Sequence, residues 1–440
     1  VGMVADGRQM INTAVAIAET GEIGLARGTD FTLPRPRGDA VSRFGMGTSL
    51  LQVPAAWLAP KVEAVRGAGS SQFLFLLVPL LGVLITAWAA AKSVLLLGAP
   101  AAAAAPAVLL ASIASPLGSY AAMEFSEPVQ SAVLGLGFAA ALASARSEGR
   151  RATRLAVAAG VAAGFAVLTK SSLVIAAPWT LLPLLAAGDV RRVRSRIAAA
   201  AAGALPMLAL WCAFELVRFG RLFGGYPDDS FTNPFLDGTW RLLIGPNRGL
   251  LLFYPAALIA AAWAVRALRA DDRLLKLTAA AALLPVVAML AVAAPYWGWH
   301  GMEGWGPRLI VPAVALLAPL AALWLADRSP PLVWVVVAFC LLLNVVPLLQ
   351  HPTPVATYVM SCRWPEVPPD KEARDFPFYA RGTTEDGAPT VVPFEVLERE
   401  PSASQFLVYP WFFSASWKTD DELAASLAQP PWASARPDIV

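Results

Sequence analysis

The chain has 440 residues, of which 57% are hydrophobic and 15% are charged, with a net charge of +3 and a mean hydropathy of +0.58. A soluble chain is about 45–50% apolar and about 25% charged. These values exclude a soluble enzyme and a disordered chain and predict a polytopic membrane protein; the arginines, clustered between apolar runs, exclude a nucleic-acid-binding face.

A long polar stretch, residues 1–72, precedes the first strongly apolar run. Within it, residues 8–20 and 49–60 have apolar side chains at helical spacing and predict two amphipathic helices at the membrane surface. Asp6 stands just before the first of them. We hold two interpretations of Asp6: a solvated acid that caps a helix, or a functional carboxylate at the membrane surface.

Ten apolar runs follow, and spanning a bilayer takes about 20 apolar residues each. They predict an all-α integral membrane protein whose ten spans form a helical bundle. The runs cover residues 73–91, 94–115, 128–145, 153–168, 172–187, 196–218, 249–268, 274–294, 309–326 and 332–350.

Basic residues are concentrated in every second connection between these runs. Cytoplasmic loops of membrane proteins are rich in lysine and arginine, so this alternation predicts the topology. The arginine-rich connections are assigned to the cytoplasm. Two further cytoplasmic connections each contain one basic residue, Lys92 or Arg328. The basic residues of the arginine-rich connections are Arg146, Arg150, Arg151, Arg154, Arg191, Arg192, Arg194, Arg196, Arg266, Arg269, Arg273 and Lys276. The remaining connections and both polar ends then face the outside.

The topology divides the chain into a first extracytoplasmic loop (1–72), a transmembrane helical domain (73–350) and an extracytoplasmic tail (351–440). Because 1–72 lies outside, we expect a further N-terminal helix before it, which would make eleven spans. The alternative is a chain with its N-terminus outside, inserted by its first helix. The tail is polar and proline-rich with aromatic clusters. We expect it to pack as a small cap on the outer loops.

The outer connections carry the acids that could do chemistry. Glu124 and Glu127 lie in SYAAMEFSEPVQ, which has no basic residue. Both could be solvated acids, and Pro128 makes Glu127 a good first-turn residue of the next helix. Their position beside the membrane also makes them candidates for a catalytic acid or base.

Three isolated cations occupy the same predicted face, each at the mouth of an apolar run: Lys170, Arg248 and Arg308. Long cationic side chains snorkel to the membrane interface, which explains any one of them. Fixed cations beside hydroxyl residues such as Thr169 and Ser171 are also suited to binding a phosphate group. The nearby tryptophans and tyrosine fit an interfacial aromatic belt.

Metal and redox chemistry have little support. The chain has two histidines, His300 and His351, and three widely spaced cysteines without a CxxC pair. This set gives no metal-ligand pattern, so neither a metal nor another cofactor is expected.

The ordered set of segments resembles a known family. It consists of the early acid Asp6, a helix ending in an E-x-G turn (Glu19, Gly21), Glu127-Pro128, GFAVLTKSSLVIAAP, NRGLLLFYP and WGPRLIVPA. Together they resemble the GT-C fold glycosyltransferases that use polyprenyl-phosphate sugars, in the bacterial branch related to protein O-mannosyltransferases and aminoarabinose transferases (glycosyltransferase family 39-like). The resemblance covers about residues 1–350. The chain departs from the mannosyltransferases because Gly7, and not a second acid, follows Asp6.

The resemblance implies an inverting transfer of a sugar from a polyprenyl-phosphate donor to an acceptor hydroxyl on the outer face of the plasma (inner) membrane. Asp6 would be the base and Glu127 or Glu124 the second acid. Lys170 and Arg308, with Arg248 behind them, would stabilise the leaving phosphate. The partners would be the lipid-linked donor, the bilayer and a glycan, lipid or protein acceptor of the cell envelope.

Two other functions remain open from the residues alone. A transporter or flippase of lipid-linked sugars also has ten or eleven helices, although it normally shows internal repeats and charges near the midplane. An O-antigen ligase or polymerase also handles lipid-linked sugars, although its large outer loop comes late in the chain.

Overall fold

The computed structural model describes residues 5–25, 32–34, 39–186, 188–225, 230–301, 304–349, 379–383, 389–393 and 405–406. Almost all of these residues are helical. The α-helices are α1 (Ala5–Thr20), α2 (Met46–Arg66), α3 (Gln72–Leu96), α4 (Ala104–Leu110), α5 (Glu127–Ala145), α6 (Gly149–Thr169), α7 (Val190–Phe219), α8 (Phe235–Ile244), α9 (Leu250–Phe253), α10 (Ala256–Arg269), α11 (Arg273–Ala293), α12 (Val314–Ala326) and α13 (Pro330–Leu349).

Shorter elements connect these helices. The 3-10 helices are Ala101–Ala103, Pro116–Ala122, Ser171–Ile175, Ala177–Ala186 and Arg308–Ala313. Two antiparallel strand pairs complete the described elements: β1 (Leu33–Pro34) with β2 (Ala40–Val41), and β3 (Tyr379–Thr383) with β4 (Pro389–Pro393). The LERE and DDELAASLA segments of the tail, for which the sequence suggests local structure, lie outside the described residues.

Seven helices in the described part of the chain are long and apolar enough to cross a membrane: α3, α5, α6, α7, α11, α13 and the continuous segment Arg308–Ala326. They confirm an all-α membrane protein. The runs 94–115, 172–187 and 249–268, expected as continuous helices, instead form shorter pieces. Proline lacks an N–H and clashes with the preceding helical turn, and Pro100, Pro178 and Pro255 stand beside breaks in these three runs. The count of ten crossings stays a prediction.

The break in the run 94–115 also changes where the preceding helix ends. α3 continues to Leu96, so Lys92 lies inside a helix and not, as predicted, between two runs. The chain turns instead at Gly98, whose φ of 87° is a left-handed conformation that favours glycine.

Both helices predicted in the first polar stretch are present as α1 and α2. α1 buries Met10, Ile11 and Ala14, while α2 leaves Trp57 and Leu58 exposed. One helix therefore turns its apolar face to the protein, and the other keeps aromatic and aliphatic surface available for the membrane interface.

The two ends of the bundle differ in charge. At the start of α6, Arg192 pairs with Glu148 over 3.2 Å, and Arg196 donates to the carbonyl oxygen of Ser147 over 2.8 Å. These contacts join two arginine-rich connections. The other end of α6, beside Lys170, is 21 residues away, which is about 30 Å along a helix. The arginine-rich connections and Lys170 thus lie at opposite ends of the bundle.

Small residues let α6 and α7 approach until their backbones touch. A side chain at Gly160 would collide with the carbonyl oxygen of Ala200, and one at Gly203 would collide with that of Val157. Gly164 faces Ala204 in the same way. This is the small-residue packing typical of membrane helices, where lipid removes the hydrophobic drive between helices.

A buried ion pair anchors the first loop to the end of α7. Arg218 donates to Glu215 over 2.6 Å and to the carbonyl oxygens of Ser42, over 3.2 Å, and Phe44. Glu215 also accepts from the backbone N–H of Gly224 over 3.2 Å. The two buried charges neutralise each other, and the bonds from Arg218 hold residues 42–44 against the membrane domain.

The start of α2 packs directly on the end of α6. Side chains at Gly45 or Gly47 would collide with the backbone of Thr169, the residue before Lys170. The sequence G-M-G is therefore required by a close approach of two backbones.

Replacing Gly47 by valine should destabilise the folded protein by about 1–3 kcal/mol, because the added side chain must push α2 away from Thr169. The measurement is the midpoint of thermal denaturation of the purified protein in detergent. Ala64→Val, at an exposed position of the same helix, is the matched control and should leave the midpoint unchanged. Equal midpoints for both variants would contradict the packing argument.

Candidate active site

Asp6 lies in the first turn of α1, where the positive end of the helix dipole favours a carboxylate. Ile11 and Ala14 of the same helix pack in an apolar cluster with Val53 and Phe75. The helix is thereby fixed to the membrane domain. The Asp6 side chain keeps 24% of its surface exposed, so it can meet a molecule arriving from solvent.

Arg308 joins two carboxylates that are far apart in sequence. Its Nη2 donates to Oδ2 of Asp6, and its Nε donates to Oε1 of Glu127 over 3.0 Å. Its Nη1 donates to the carbonyl oxygen of Gly301 over 3.2 Å. The guanidinium carbon lies 3.7 Å from the ring centroid of Phe125, a cation–π contact. One guanidinium thus fixes both acids.

Glu127 is the first residue of α5 and only 1% of its side chain is exposed. Its Oε1 is bound by Arg308, whereas Oε2 has no hydrogen-bond partner among the described residues. A buried carboxylate oxygen without a partner is costly. The site therefore presents an acceptor that a hydroxyl or another donor on a bound molecule would satisfy.

Lys170 directly follows α6 and is partly accessible to solvent. The protein packed around it lowers the pKa of its ammonium group; Glu127 and Asp6 oppose this shift, and Arg308 adds to it. These electrostatic effects place Lys170 within range of the same three charged groups. The cluster therefore contains two carboxylates and two cations.

Glu124 contributes to packing beside Asp6. It is 2% exposed, and a side chain at Gly7 would collide with its Cβ. The absence of a second acid after Asp6 has a physical reason, since no side chain fits at that position.

Arg248 is directed at a different target from the other two cations. It is 2% exposed, and its Nη1 donates to the carbonyl oxygens of Gly304 and, over 3.3 Å, Gly306. Nearby His300 is also buried; burial, together with Arg248, lowers the pKa of His300 to about 3, so its ring is neutral at physiological pH. Arg248 thus stabilises the loop that contains Gly304 and Gly306 and leads to Arg308.

That loop depends on glycine. Gly301 and Gly306 both have φ values of 66°, in the left-handed region. Tyr120 donates its hydroxyl to the carbonyl oxygen of Trp305 over 3.0 Å. Trp305 in turn donates its Nε1 to Asn344 over 2.9 Å. The loop is fixed on several sides before the chain reaches Arg308.

The structure brings together Asp6, Glu127 and Arg308 in direct contact, with Lys170 in electrostatic range, and places Glu124 and Arg248 in the surrounding packing. Phe125, Tyr120 and Gln405 support the cluster and were missed by the sequence analysis. Among the described residues, no three His, Cys, Asp or Glu side chains lie close enough to hold a metal ion.

No protein-family model matches the chain, and no curated protein matches it by sequence. Solved structures do resemble it. ArnT from Cupriavidus metallidurans bound to undecaprenyl phosphate is 17% identical, with a TM-score of 0.51 over 98% of this chain and 71% of that chain. ArnT in the apo state is 18% identical, with a TM-score of 0.49 over 81% of this chain.

The archaeal oligosaccharyltransferase AglB from Archaeoglobus fulgidus, in complex with an inhibitory peptide and a dolichol-phosphate, is 16% identical, with a TM-score of 0.47 over 84% of this chain. This chain spans 64% of the length of apo ArnT and 55% of that of AglB. Of these three matches, only that to lipid-bound ArnT has a TM-score above 0.5, and at 17% identity it shows a shared fold. The chain therefore has the GT-C type of membrane fold, which it shares with ArnT and which its sequence resemblance implies.

Proposed function

We propose that this chain is a membrane glycosyltransferase that moves a sugar from a polyprenyl-phosphate donor to an acceptor hydroxyl, with inversion, on the extracytoplasmic face. One observation carries the proposal. A single guanidinium, that of Arg308, holds Asp6 and Glu127 together next to Lys170. Two acids and two cations at one mouth of a membrane bundle supply a base for a hydroxyl and a binding site for a phosphate.

Asp6 is the better candidate for the base. It is exposed enough to meet an acceptor hydroxyl, whereas Glu127 is almost fully buried. The free Oε2 of Glu127 suits a second task, which is to accept a hydrogen bond from a hydroxyl of the sugar or of the acceptor. The two acids therefore divide deprotonation and orientation between them.

The reaction balances without a general acid. The acceptor oxygen forms a bond to the anomeric carbon while its proton passes to Asp6. The bond between the anomeric carbon and the phosphate oxygen breaks, and its electron pair leaves with the polyprenyl phosphate, whose charge changes from −1 to −2. Lys170, and Arg308 beside it, would stabilise this added charge, because fixed cations act most strongly on charge that develops in the transition state.

The proposed function is tested by incubating membranes that contain the protein with a panel of radiolabelled polyprenyl-phosphate sugars and extracted envelope acceptors. We expect transfer from at least one donor, and a product of inverted anomeric configuration by NMR. Movement of the same lipids across proteoliposomes without any transfer would contradict the proposal and favour the flippase alternative.

Replacing Lys170 by methionine should weaken binding of undecaprenyl phosphate about 10- to 100-fold, because a charge-assisted hydrogen bond to the phosphate is lost. Binding to the wild type should also weaken as the pH rises, and should do so below 10.5, the ordinary lysine value, because the lowered pKa discharges the ammonium early. Lys170→Arg should keep its charge and bind across that pH range.

Both effects are measured by titrating the purified protein with undecaprenyl phosphate. The matched control is Lys276→Met, at an exposed position in an arginine-rich connection. The same affinity for both methionine variants would remove Lys170 from the phosphate site.

A further inference from the structure

A side-chain amide from the C-terminal tail is paired with the loop that precedes Arg308. The Nε2 of Gln405 donates to the carbonyl oxygen of Gly304 over 2.7 Å, and its Oε1 accepts from the backbone N–H of Gly306 over 2.7 Å. Gln405 is buried, with 8% exposed. One side chain thus satisfies two buried backbone groups, as a neighbouring strand would.

The next residue fixes this amide in place. The ring of Phe406 stacks on Phe253 with centroids 4.4 Å apart and meets Trp305 edge-on at 5.4 Å. Phe253 and Trp305 are also in edge contact, at 5.0 Å. Offset and edge-to-face contacts are the favoured geometries of aromatic pairs. The three rings hold residues 405 and 406 on the loop.

The loop in turn determines where Arg308 stands. The backbone N–H of Arg308 donates to the carbonyl oxygen of Gly306 over 2.9 Å. A Cβ at Gly304 would lie 3.0 Å from Cβ and 3.1 Å from Cδ of Arg308, so the stem of the arginine lies against this glycine. A displacement of residues 304–306 must therefore move the guanidinium.

We propose that Gln405 is a positioning residue for the transfer reaction. It fixes the 304–306 loop so that Arg308 reaches Asp6 and Glu127 at the same time. Its role in catalysis rests on the proposed function, whereas its contact with the loop does not. A misplacement of about 1 Å costs an enzyme on the order of 10²-fold in rate, so a residue outside the charged cluster can still control the rate.

The first test is Gln405→Ala. We expect kcat to fall about 10- to 100-fold while KM for the donor changes less than about threefold, because Lys170, the other phosphate-binding cation, is held at the end of α6 and not by this loop. Hydrogen–deuterium exchange of peptides that contain residues 304–306 should become faster, because the Gly306 N–H loses its acceptor. Asn233→Ala is the matched control: its Nδ2 donates to Ala294 over 2.6 Å in another outer segment, and both readouts should stay at wild-type values.

The second test is Gln405→Glu, which keeps the size and the acceptor but places a carboxylate against the Gly304 carbonyl. Protonation would restore the donor, so the ratio of the variant's kcat to that of the wild type should rise as the pH falls from about 8 to about 5. If Gln405 were needed only for folding, the ratio of the two kcat values would not change with pH.

The two proposals fail separately. If the wild type transfers sugar from no donor, the proposed function is wrong, and the exchange experiment alone decides whether Gln405 fixes the loop. If exchange at residues 304–306 is unchanged in Gln405→Ala, or if kcat stays within twofold of an active wild type with a flat pH ratio for Gln405→Glu, Gln405 is not a positioning residue.

Discussion

Sugar transfer should fall about 10²- to 10⁴-fold when Asp6 is replaced by asparagine, which is the range that a general base contributes. Asparagine has nearly the same shape, so α1 should stay in place. It cannot take the proton of the acceptor hydroxyl. Undecaprenyl phosphate should bind to this variant as tightly as to the wild type or more tightly, because one negative charge beside Lys170 and Arg308 is removed.

The measurement is kcat for transfer in Asp6→Asn, together with the dissociation constant for undecaprenyl phosphate. Asp272→Asn is the matched control, because Asp272 caps α11 at the arginine-rich end and asparagine caps a helix equally well. Transfer undiminished in Asp6→Asn would remove Asp6 from the site and leave Glu124 or Glu127 as the base.

The second large effect is expected at Arg308. Methionine in its place leaves the buried Glu127 without its partner, and removing one member of a buried pair costs about 3–5 kcal/mol of stability. Lysine should fold better but still lose about 10²- to 10³-fold in transfer. Its single nitrogen cannot reproduce the two directed bonds that the guanidinium makes to Asp6 and Glu127.

A double variant separates the two roles of Arg308. Adding Glu127→Gln to Arg308→Met removes the unpaired charge, so thermal stability in detergent should recover while transfer stays lost. Failure of stability to recover would mean that the Arg308–Glu127 bond is not what destabilises the single variant.

Lys170 and Arg308 could be found from the sequence because each is an isolated cation beside an apolar run. Glu127 directly precedes another such run, and Asp6 precedes the first amphipathic helix. Alternating arginine-rich connections assign all four residues to one face. The sequence does not indicate which of these residues contact each other. Asp6 and Arg308 are separated by some 300 positions, and nothing local indicates which acid meets which cation.

Other features leave no pattern in the sequence at all. Gln405 is an uncharged amide in a polar tail, and its role comes from two backbone groups about a hundred residues away. Arg248 has the same setting in the sequence as Arg308, yet it donates to the carbonyl oxygens of Gly304 and Gly306. Hydropathy averaged over a window also cannot show that two apolar runs are divided into short helices, beside Pro178 and Pro255.

One further clue was present but needed structure to interpret. Gly45 and Gly47 flank the start of α2, and paired glycines before a helix are compatible with either a turn or a close contact. Their close approach to Thr169 shows that these glycines serve a close contact between two backbones. The first loop is thereby tied to the helix that carries Lys170.

The glycine contacts between α6 and α7 have a consequence for the surrounding lipid. Helices whose backbones touch have no long side chains between them that could repack, so the pair keeps its length, and a thicker bilayer must become thinner around it. Lys170 ends this pair, about 30 Å from the arginine-rich connections. The depth of Lys170 relative to the lipid headgroups is therefore set by the length of the acyl chains. Under the proposed function, a membrane of longer acyl chains would place the donor phosphate at a different level from Lys170, which binds it.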